Sequence, residues 1–249
     1  MDILINKAIA DIRKYGEKFD NVFVNYSGGR YSTVLLHLAL KSLNNIKVLY
    51  VDTTISLPDC EEYVNDLQKL WNFELIKLKR EDTDFWKIVN RRGFPHNRFR
   101  WCLKEIKSVP LKAYNKSING NNLHLTGTSK KESSMRQKIY SIRGKLHFNP
   151  SICSYVLHPL LEWNDKQIGD YLMINKIPIN PSYKRFGHGG NCYYCPYQKK
   201  KKYYLKLYKE YPDLYQNIID AENSMINKGA AIYLGKGKKM YLSKIIEEI

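Results

Sequence analysis

The hydrophobic positions follow two different periods along the first part of the chain. Residues 3–17 repeat apolar side chains at helical spacing, whereas residues 22–24, 46–51 and 73–78 are short apolar runs typical of buried strands. A helical pattern follows the first run, and residues 57–59 (Leu-Pro-Asp) open another helix with proline in its first turn. This alternation predicts a parallel, doubly wound α/β sheet whose ligand lies at the carboxyl ends of the strands.

The pattern continues more weakly toward the end of the chain. Residues 123–125 and a run that starts at Tyr155 predict two further strands, and residues 165–174 predict a helix. Residues 197–249 alternate lysine with tyrosine and leucine, which predicts basic helices. We expect the tyrosines there to pack onto the core, and stacking on nucleic-acid bases is the alternative.

Composition places the chain among globular proteins with a sizeable core. Of its 249 residues, 43% are hydrophobic and 26% are charged. No apolar run approaches the roughly 20 residues that span a bilayer, and the N-terminus shows no cleavable signal pattern. We therefore expect a cytoplasmic protein without a membrane partner. The net charge of +17 predicts affinity for nucleotides or nucleic acid, although a lysine coat from biased composition explains it equally well.

The glycine-containing loop after the first predicted strand is the candidate ligand site. Two glycines allow the backbone to turn sharply and approach a ligand, and the following helix directs its unpaired N–H groups at the same point. The candidate nucleotide-binding residues here are Ser27, Gly28, Gly29, Arg30, Ser32 and Thr33. No Gly-Lys-Ser/Thr follows, so this is not a Walker loop. An ordinary glycine turn is the alternative.

Three later stretches carry further candidates. Asp52, directly after a strand, suits a hydrogen bond to a ribose or an adenine edge, and capping of a turn is the alternative. Residues 91–111 are densely basic, and Arg98, Arg100 and Lys107 could contact phosphate or sulfate, with a solvated basic loop as the alternative. Residues 126–136 form a lysine-rich loop after the fourth strand.

These stretches resemble the motifs of one enzyme family, in order, from residue 22 to about residue 196. Ser-Gly-Gly-x-x-Ser resembles the loop of the PP-loop ATP pyrophosphatase (adenine nucleotide α-hydrolase) superfamily, and Asp-Thr-x-x-x-x-Pro resembles its second motif, with Thr54 in place of glycine. Arg-Trp-Cys, followed by Lys and Pro-Leu, resembles the third motif of the phosphoadenylyl-sulfate (PAPS) reductase-like branch. Pro-Leu-x-x-Trp, Ile-Pro-Ile-Asn-Pro-Ser-Tyr at residues 177–183 and Cys-Tyr-Tyr-Cys-Pro complete the series.

The loop after the fourth strand resembles the branch's Gly-x-Arg-x-x-Glu-Ser-x-x-Arg motif. The resemblance makes Gly127, Glu132 and Ser133 candidate nucleotide ligands, and it makes Arg136 and Lys107 candidate catalytic residues. Arg136 would neutralise charge developing at an α-phosphate. The motif's first arginine is Ser129 here, and Lys130 or Lys131 could replace it.

The cysteines predict a metal site. Cys192 and Cys195 have C-x-x-C spacing in a turn, and Cys102 and Cys153 could complete a four-thiolate site for a [4Fe–4S] cluster or for zinc. The resemblance implies cluster ligands at 102, 192 and 195 but has no counterpart for Cys153, so three thiolates with one open iron are the other option. We expect Cys60 simply to be buried.

The interpretation is a nucleotide-binding α/β domain, residues 1–185, followed by a Cys-bearing helical region, residues 186–249. The resemblance implies an enzyme that binds ATP, with magnesium, or an adenylyl-sulfate and carries out sulfur transfer or adenylation. Tyr31 stands where ATP-cleaving members carry Asp, and no cysteine follows Cys195 to act as a reductase nucleophile. The alternatives are a sulfonucleotide reductase that uses an external thiol and a metal-stapled nucleic-acid-binding protein with a degenerate loop.

Overall fold

The computed structural model describes residues 1–97, 99–187, 189, 191–198, 201–225, 232–235 and 238–246. One six-stranded sheet comprises β1 (Asn21–Tyr26), β2 (Ile46–Val51), β3 (Glu74–Leu78), β4 (Asn122–Thr126), β5 (Leu146–Asn149) and β6 (Ser154–Leu157). Its order is β3-β2-β1-β4-β6-β5, and only β5 runs antiparallel to its neighbour. The predicted doubly wound, largely parallel sheet is confirmed, and the edge strand β5 is an addition that the sequence pattern did not indicate.

Helices connect these strands and continue beyond them. They are α1 (Asp2–Gly16), α2 (Arg30–Leu40), α3 (Pro58–Trp71), α4 (Phe85–Arg92), α5 (Val109–Ser117), α6 (Ser134–Arg143), α7 (Asp165–Ile174), α8 (Ser182–Phe186), α9 (Lys201–Glu210), α10 (Pro212–Met225) and α11 (Ser243–Ile246). A π-helical segment, Leu103–Ser108, leads into α5, and a 3-10 turn, Lys130–Glu132, precedes α6. No helix in the described residues is long and apolar enough to cross a bilayer.

Both faces of the sheet are covered because neighbouring side chains on a strand point to opposite faces. On β1, Val22, Val24 and Tyr26 pack into a core with apolar residues of α1, α2, α3 and α7. Phe23 faces the other way, where its ring lies 5.7 Å from the ring of Tyr114 on α5. Helices on both faces explain why the central strands are near-continuous apolar runs.

The sheet reverses its winding direction between β1 and β4. From β1 the chain moves outward through β2 to β3, and it then returns to the other side of β1 to form β4. In open α/β sheets the loops at such a point diverge and leave a crevice outside the strand carboxyl ends. The loop at residues 27–29 lies at this position.

A second core, here called the tyrosine core, joins the C-terminal helices to the middle of the chain. Its buried members are Ile55, Leu57, Cys60, Phe85, Ile88, Val89, Phe94, Trp101, Ile106, Tyr193, Tyr194, Tyr203, Tyr204, Leu207, Tyr215, Ile218, Ala221 and Leu242. Tyr203, Tyr204 and Tyr215 are all buried, so the prediction that tail tyrosines pack is confirmed for these three. The described tail also contains a hairpin of β7 (Ile232–Gly235) and β8 (Lys238–Met240), which the pattern did not predict.

Candidate nucleotide site and thiol cavity

The two glycines of the loop have different structural roles. Gly28 has φ +73°, and a Cβ there would lie 2.7 Å from Cys60 Sγ, so only glycine fits without strain. Gly29 precedes α2 with extended backbone, and a Cβ there would meet nothing closer than 3.5 Å. Gly28 therefore makes the turn, whereas Gly29 leaves open space in front of the helix N-terminus.

The hydroxyl groups near the loop hold its shape. Ser32 Oγ and Thr33 Oγ1 donate to the Gly29 carbonyl at 2.8 Å and 3.0 Å, and both side chains are buried. Ser27 Oγ lies 3.2 Å from Ser32 Oγ, and the Asn180 amide donates to the Gly28 carbonyl at 3.1 Å. The first-turn N–H groups of α2 have no intrahelical partners, so those that no side chain already occupies are the donors that a phosphate would meet.

Arg30 places a cation beside the same loop. Its guanidinium lies 4.7 Å from the centre of the Tyr183 ring, and its backbone N–H donates to the Tyr183 hydroxyl at 3.0 Å. Its buried Nε has no hydrogen-bond partner within the described part of the chain. Tyr183 and Asn180 thus support the loop from residues 177–183, a stretch that belongs to the motif series of the family resemblance.

A cavity of about 300 Å³, here called the nucleotide cavity, opens at the carboxyl ends of β1, β2 and β4. Ser27 of the loop and Thr126 at the end of β4 line it. Among the described residues that line it, the charged side chains are Lys107 and Arg143, and none is acidic. No ion-pair partner of either cation occurs in the described ranges. Two uncompensated cations in a concave site favour an anionic ligand.

Asp52 shapes the turn after β2. Its Oδ1 accepts the Thr54 N–H at 2.7 Å, and its Oδ2 lies 3.7 Å from Lys79 Nζ. Thr54 has φ +60°, which explains why a glycine is expected at this motif position. The Thr54 hydroxyl accepts the Phe85 N–H at 3.0 Å, a bond that glycine could not make. The capping role of Asp52 is therefore observed, and its contact with a ribose or adenine stays a prediction.

Gly127 allows β4 and α2 to approach closely. A Cβ at this position would lie 2.7 Å from the backbone nitrogen of Ser32 and 2.7 Å from the carbonyl carbon of Tyr31. These are backbone atoms, so they cannot rotate away. Gly127 thereby fixes the distance between the loop after β4 and the start of α2, and its direct contact with a nucleotide remains a prediction.

The remaining residues of that motif cap helices in this structure. Glu132 accepts the Ser129 N–H at 2.9 Å and forms an ion pair with Arg136. Ser133 caps α6 by accepting the Arg136 N–H at 3.2 Å. Glu132, Ser133 and Arg136 are not among the residues that line the nucleotide cavity. Their proposed ligand contacts would require Arg136 to leave Glu132.

Ser129 is a structural residue where the motif has arginine. It is fully buried, and its Oγ donates to the Trp163 carbonyl at 2.5 Å. Lys130 pairs with Glu162 at 2.7 Å and lines a different cavity, of about 440 Å³. Lys130 therefore does not replace the missing arginine in this arrangement.

Three of the predicted metal ligands line one cavity of about 150 Å³, here called the thiol cavity. Cys102, Cys192 and Cys195 contribute to it, and so does Lys107, which also lines the nucleotide cavity. Cys153 is not among its lining residues, because it lies between β5 and β6, where its Sγ is 3.6 Å from the Pro150 carbonyl. The sequence prediction thus brings three thiols together and leaves the fourth elsewhere. Arg98, which we predicted to contact phosphate, lies outside the described residues.

The thiols differ in their tendency to ionise. Burial raises the pKa of Cys102 to about 11, an effect that nearby Cys192 reinforces and Lys107 opposes. Burial also raises the pKa of Cys195. Cys60 is buried, as expected, and burial raises its pKa to about 12. At neutral pH the buried thiols are therefore protonated unless a cation stabilises the thiolates.

The relatives of the chain point to one family. The model of the family described as phosphoadenosine phosphosulfate reductase domain matches residues 21–217. Two uncharacterized proteins of Methanocaldococcus jannaschii are 27% and 29% identical to the chain over 87% and 84% of it, and the match spans only 52% and 43% of their own lengths. Sulfate adenylyltransferase subunit 2 of Saccharophagus degradans is 26% identical over 71% of this chain and 64% of its own.

Solved structures share the fold. The phosphoadenylyl-sulfate reductase of Candida auris, a phosphate complex, superposes with a TM-score of 0.54 at 17% identity, over 71% of this chain and 83% of that one. The FMN adenylyltransferase of Candida glabrata, in complex with FAD and pyrophosphate, gives 0.57 at 16% identity, over 76% of this chain and 62% of that one. At these identities the likeness establishes architecture alone.

Proposed function

The chain belongs to the phosphoadenosine phosphosulfate reductase domain family, and on that premise we propose that it is an enzyme that binds ATP or an adenylyl-sulfate in the nucleotide cavity and carries out sulfur transfer or adenylation there. The observation that supports the proposal is that Lys107 lines both the nucleotide cavity and the thiol cavity. A side chain shared by the two cavities would bring an anionic ligand next to the cysteines.

The chain's own residues would bind and polarise the nucleotide. The N-terminus of α2 and the loop at residues 27–29 would hold the α-phosphate through backbone N–H groups. Lys107 and Arg143 would offset its negative charge and the charge that develops on reaction. The described lining of the cavity has no carboxylate that could bind Mg²⁺. We therefore propose that these cations, rather than a protein-held magnesium ion, neutralise the phosphate.

For the thiol cavity we propose a [4Fe–4S] cluster held by Cys102, Cys192 and Cys195. A single zinc ion bound by the same cysteines, at Zn–S distances of about 2.3 Å, is the alternative. A cluster is larger, so its ligands surround a volume, and the three cysteines border such a volume. With three thiolates, one iron would be open and could bind a sulfur species.

Nucleotide binding is tested with a matched pair of variants at one position. Gly29→Ala adds a methyl group whose nearest neighbour is 3.5 Å away, so calorimetry should show AMP, ATP and adenylyl-sulfate affinities close to those of the wild type. Gly29→Asp adds a carboxylate at the phosphate position and should abolish binding. If the wild type binds none of these nucleotides, the proposed function is wrong.

Two assays separate the possible reactions. An adenylating enzyme exchanges labelled pyrophosphate into ATP when its acceptor is present, whereas a reductase releases sulfite from an adenylyl-sulfate when an external thiol is supplied. Lys107→Met should lower either rate by about 100-fold or more, the effect of losing one preorganised charge at a reacting oxyanion. The nucleic-acid alternative predicts salt-dependent DNA or RNA binding with neither reaction.

A further inference from the structure

A buried chain of three side chains leads from α5 to the nucleotide cavity. His124 on β4 is fully buried, with its Nδ1 2.8 Å from Asn25 Oδ1 and its Nε2 2.9 Å from Asn115 Oδ1. Asn115 belongs to α5, whereas Asn25 belongs to β1 and lines the cavity. Both ring nitrogens thus face an amide group, and the position of the ring proton decides how each amide is oriented.

The Asn115 end of this chain fixes the proton. Asn115 Nδ2 donates to the Ile152 carbonyl at 2.8 Å. A carbonyl oxygen can only accept, so the amide of Asn115 has one permitted orientation, with Oδ1 toward His124. Because Oδ1 is itself an acceptor, His124 Nε2 must carry a proton and donate to it.

The other ring nitrogen of His124 has no proton. Burial lowers the pKa of His124 to about 4, so the imidazole is neutral at pH 7 and holds a single ring proton, the one on Nε2. Nδ1 is then an acceptor without a hydrogen. If the oxygen of Asn25 faced it, two acceptors would meet and the buried nitrogen would be left without a hydrogen bond, which is costly.

Asn25 can satisfy this nitrogen only with its own amide nitrogen. The oxygen and the nitrogen of an amide have nearly the same shape, so the hydrogen bonds decide between its two orientations. With Nδ2 toward His124 Nδ1, the Asn25 oxygen occupies the other position of the amide. The atom at that position has no hydrogen-bond partner in the described part of the chain, and it is not one of the buried unpaired polar atoms there. The Asn25 oxygen is therefore open to the cavity.

We propose that Asn25 is a specificity-determining residue whose amide oxygen accepts a hydrogen bond from the bound nucleotide, and that His124 is the positioning residue that sets this orientation. The proposal rests on the proposed function, in which the loop at residues 27–29 holds the α-phosphate. A strand rises about 3.3 Å per residue, so Asn25 lies roughly 7 Å from Ser27. The donor is therefore a group beyond the phosphate, either a ribose hydroxyl or the adenine amino group.

An acceptor at this position selects ligands through what they would leave unpaired. A nucleotide that offers a hydroxyl or an amino group replaces the hydrogen bond of water, whereas one without the donor buries the Asn25 oxygen unpaired. A phosphate oxygen at this position would meet another acceptor. The Asn25 oxygen thus complements Lys107 and Arg143, which favour anions in the same cavity, and distinguishes the nucleoside end of the ligand from its phosphate end.

Long-range ¹H–¹⁵N NMR of histidine-labelled wild-type protein tests the orientation without any ligand. At pH 7, His124 should be neutral with its proton on Nε2. Asn25→Asp identifies the signal, because a carboxylate offers only acceptors to Nδ1 and should draw a proton onto it. A wild-type ring with a proton on Nδ1 would overturn the proposal, since Asn25 would then present its oxygen to His124. A histidine spectrum that Asn25→Asp leaves unchanged would overturn it as well.

Calorimetry identifies the donor. AMP is compared with 2′-deoxyAMP, 3′-deoxyAMP and purine riboside 5′-monophosphate, each of which lacks one donor of AMP. One of the three should bind the wild type at least about fivefold more weakly than AMP, and Asn25→Leu, which has a similar size and no polar atom, should abolish that difference. Asn149→Leu is the control. Its amide also lines the cavity but already accepts the Ser151 N–H at 3.0 Å, so the difference should remain.

A weaker deoxy analogue identifies the ribose as the source of the donor, and a weaker purine riboside analogue identifies the amino group. The proposal is overturned if all three analogues bind like AMP, or if the difference persists in Asn25→Leu or disappears equally in Asn149→Leu. Failure of the proposed function gives another result, because AMP itself then does not bind, and the NMR measurement still decides whether the Asn25 oxygen faces the cavity. Thermal unfolding shows whether Asn25→Leu is folded. If it is not, Asn25→Ser, which removes the carbonyl oxygen and keeps a hydroxyl donor, takes its place.

Discussion

Gly28→Ala is the substitution for which the structure gives the most specific expectation. The left-handed backbone at φ +73° costs an L-residue about 1–2 kcal/mol. The new Cβ would also lie 2.7 Å from Cys60 Sγ and 3.4 Å from Val64 Cγ2, and overpacking of this kind costs about 1–3 kcal/mol. We expect the free energy of unfolding to fall by about 2–5 kcal/mol.

The two contributions can be separated because the closest atom belongs to a side chain. Cys60→Ala alone should cost about 1 kcal/mol, as is usual for a small buried change. In the double variant the sulfur is gone, so the clash disappears and only the backbone strain remains. The double variant should therefore be more stable than the sum of the single effects predicts, by about 1–3 kcal/mol.

Urea unfolding of the four proteins measures this coupling directly. Gly29→Ala is the control, since its backbone is extended and its added methyl group has room, and it should cost less than about 1 kcal/mol. Effects of Gly28→Ala and Cys60→Ala that add to within about 0.5 kcal/mol would refute the packing of the loop against α3.

Three other predictions follow from the site. Tyr31→Asp should raise magnesium-dependent ATP cleavage if the missing carboxylate limits it, and an unchanged rate in the pyrophosphate assay would show that it does not. Protein prepared without oxygen should be brown and contain iron and sulfide. The Cys192→Ser variant should lose both, and the Cys153→Ser variant should keep them. A wild type that is folded, colourless and metal-free would rule the cluster out, and a wild type that contains zinc would identify the alternative. Burial lowers the pKa of His158 to about 3 and that of His37 to about 4, so the unfolded protein binds more protons than the folded protein below pH 6.5. The free energy of unfolding should therefore fall from pH 6.5 to pH 5, by up to about 2 kcal/mol for His158 and by less for the more exposed His37. Urea midpoints that do not change over this range would contradict the prediction.

The fold could be predicted from the sequence because the patterns that indicate its strands and helices are local. Residues 46–51 form an apolar run bounded by turn residues, and β2 occupies the same residues. The proline at 58 marks the first residue of α3. The edge strand β5 gave no such signal, because none of its four residues is buried and it forms by pairing with β6.

The site could be predicted only in part from the sequence, because the spacing of residues does not show which side chains already pair with another residue of the fold. Cys102 and Cys192 were expected to meet and do line one cavity. Glu132 was expected at the nucleotide but is committed to a helix cap. The contact of His147 with His158, whose ring centres are 5.2 Å apart, was not predicted, since positions 147 and 158 have no ligand spacing and meet only through the antiparallel pairing of β5 with β6.

The tyrosine core has a consequence for how the protein is made. It joins Ile55, Phe85 and Trp101 to Tyr204 and Tyr215, residues separated by more than a hundred positions in the sequence. A ribosome adds about 5–20 residues per second, so Trp101 emerges several seconds before its partners exist. Cys102 stays exposed for that interval, and the thiol cavity closes only late in translation. Cys192 and Cys195 are made in the same late interval, so a cofactor held by all three thiols can bind only near the end of synthesis, as the cavity closes.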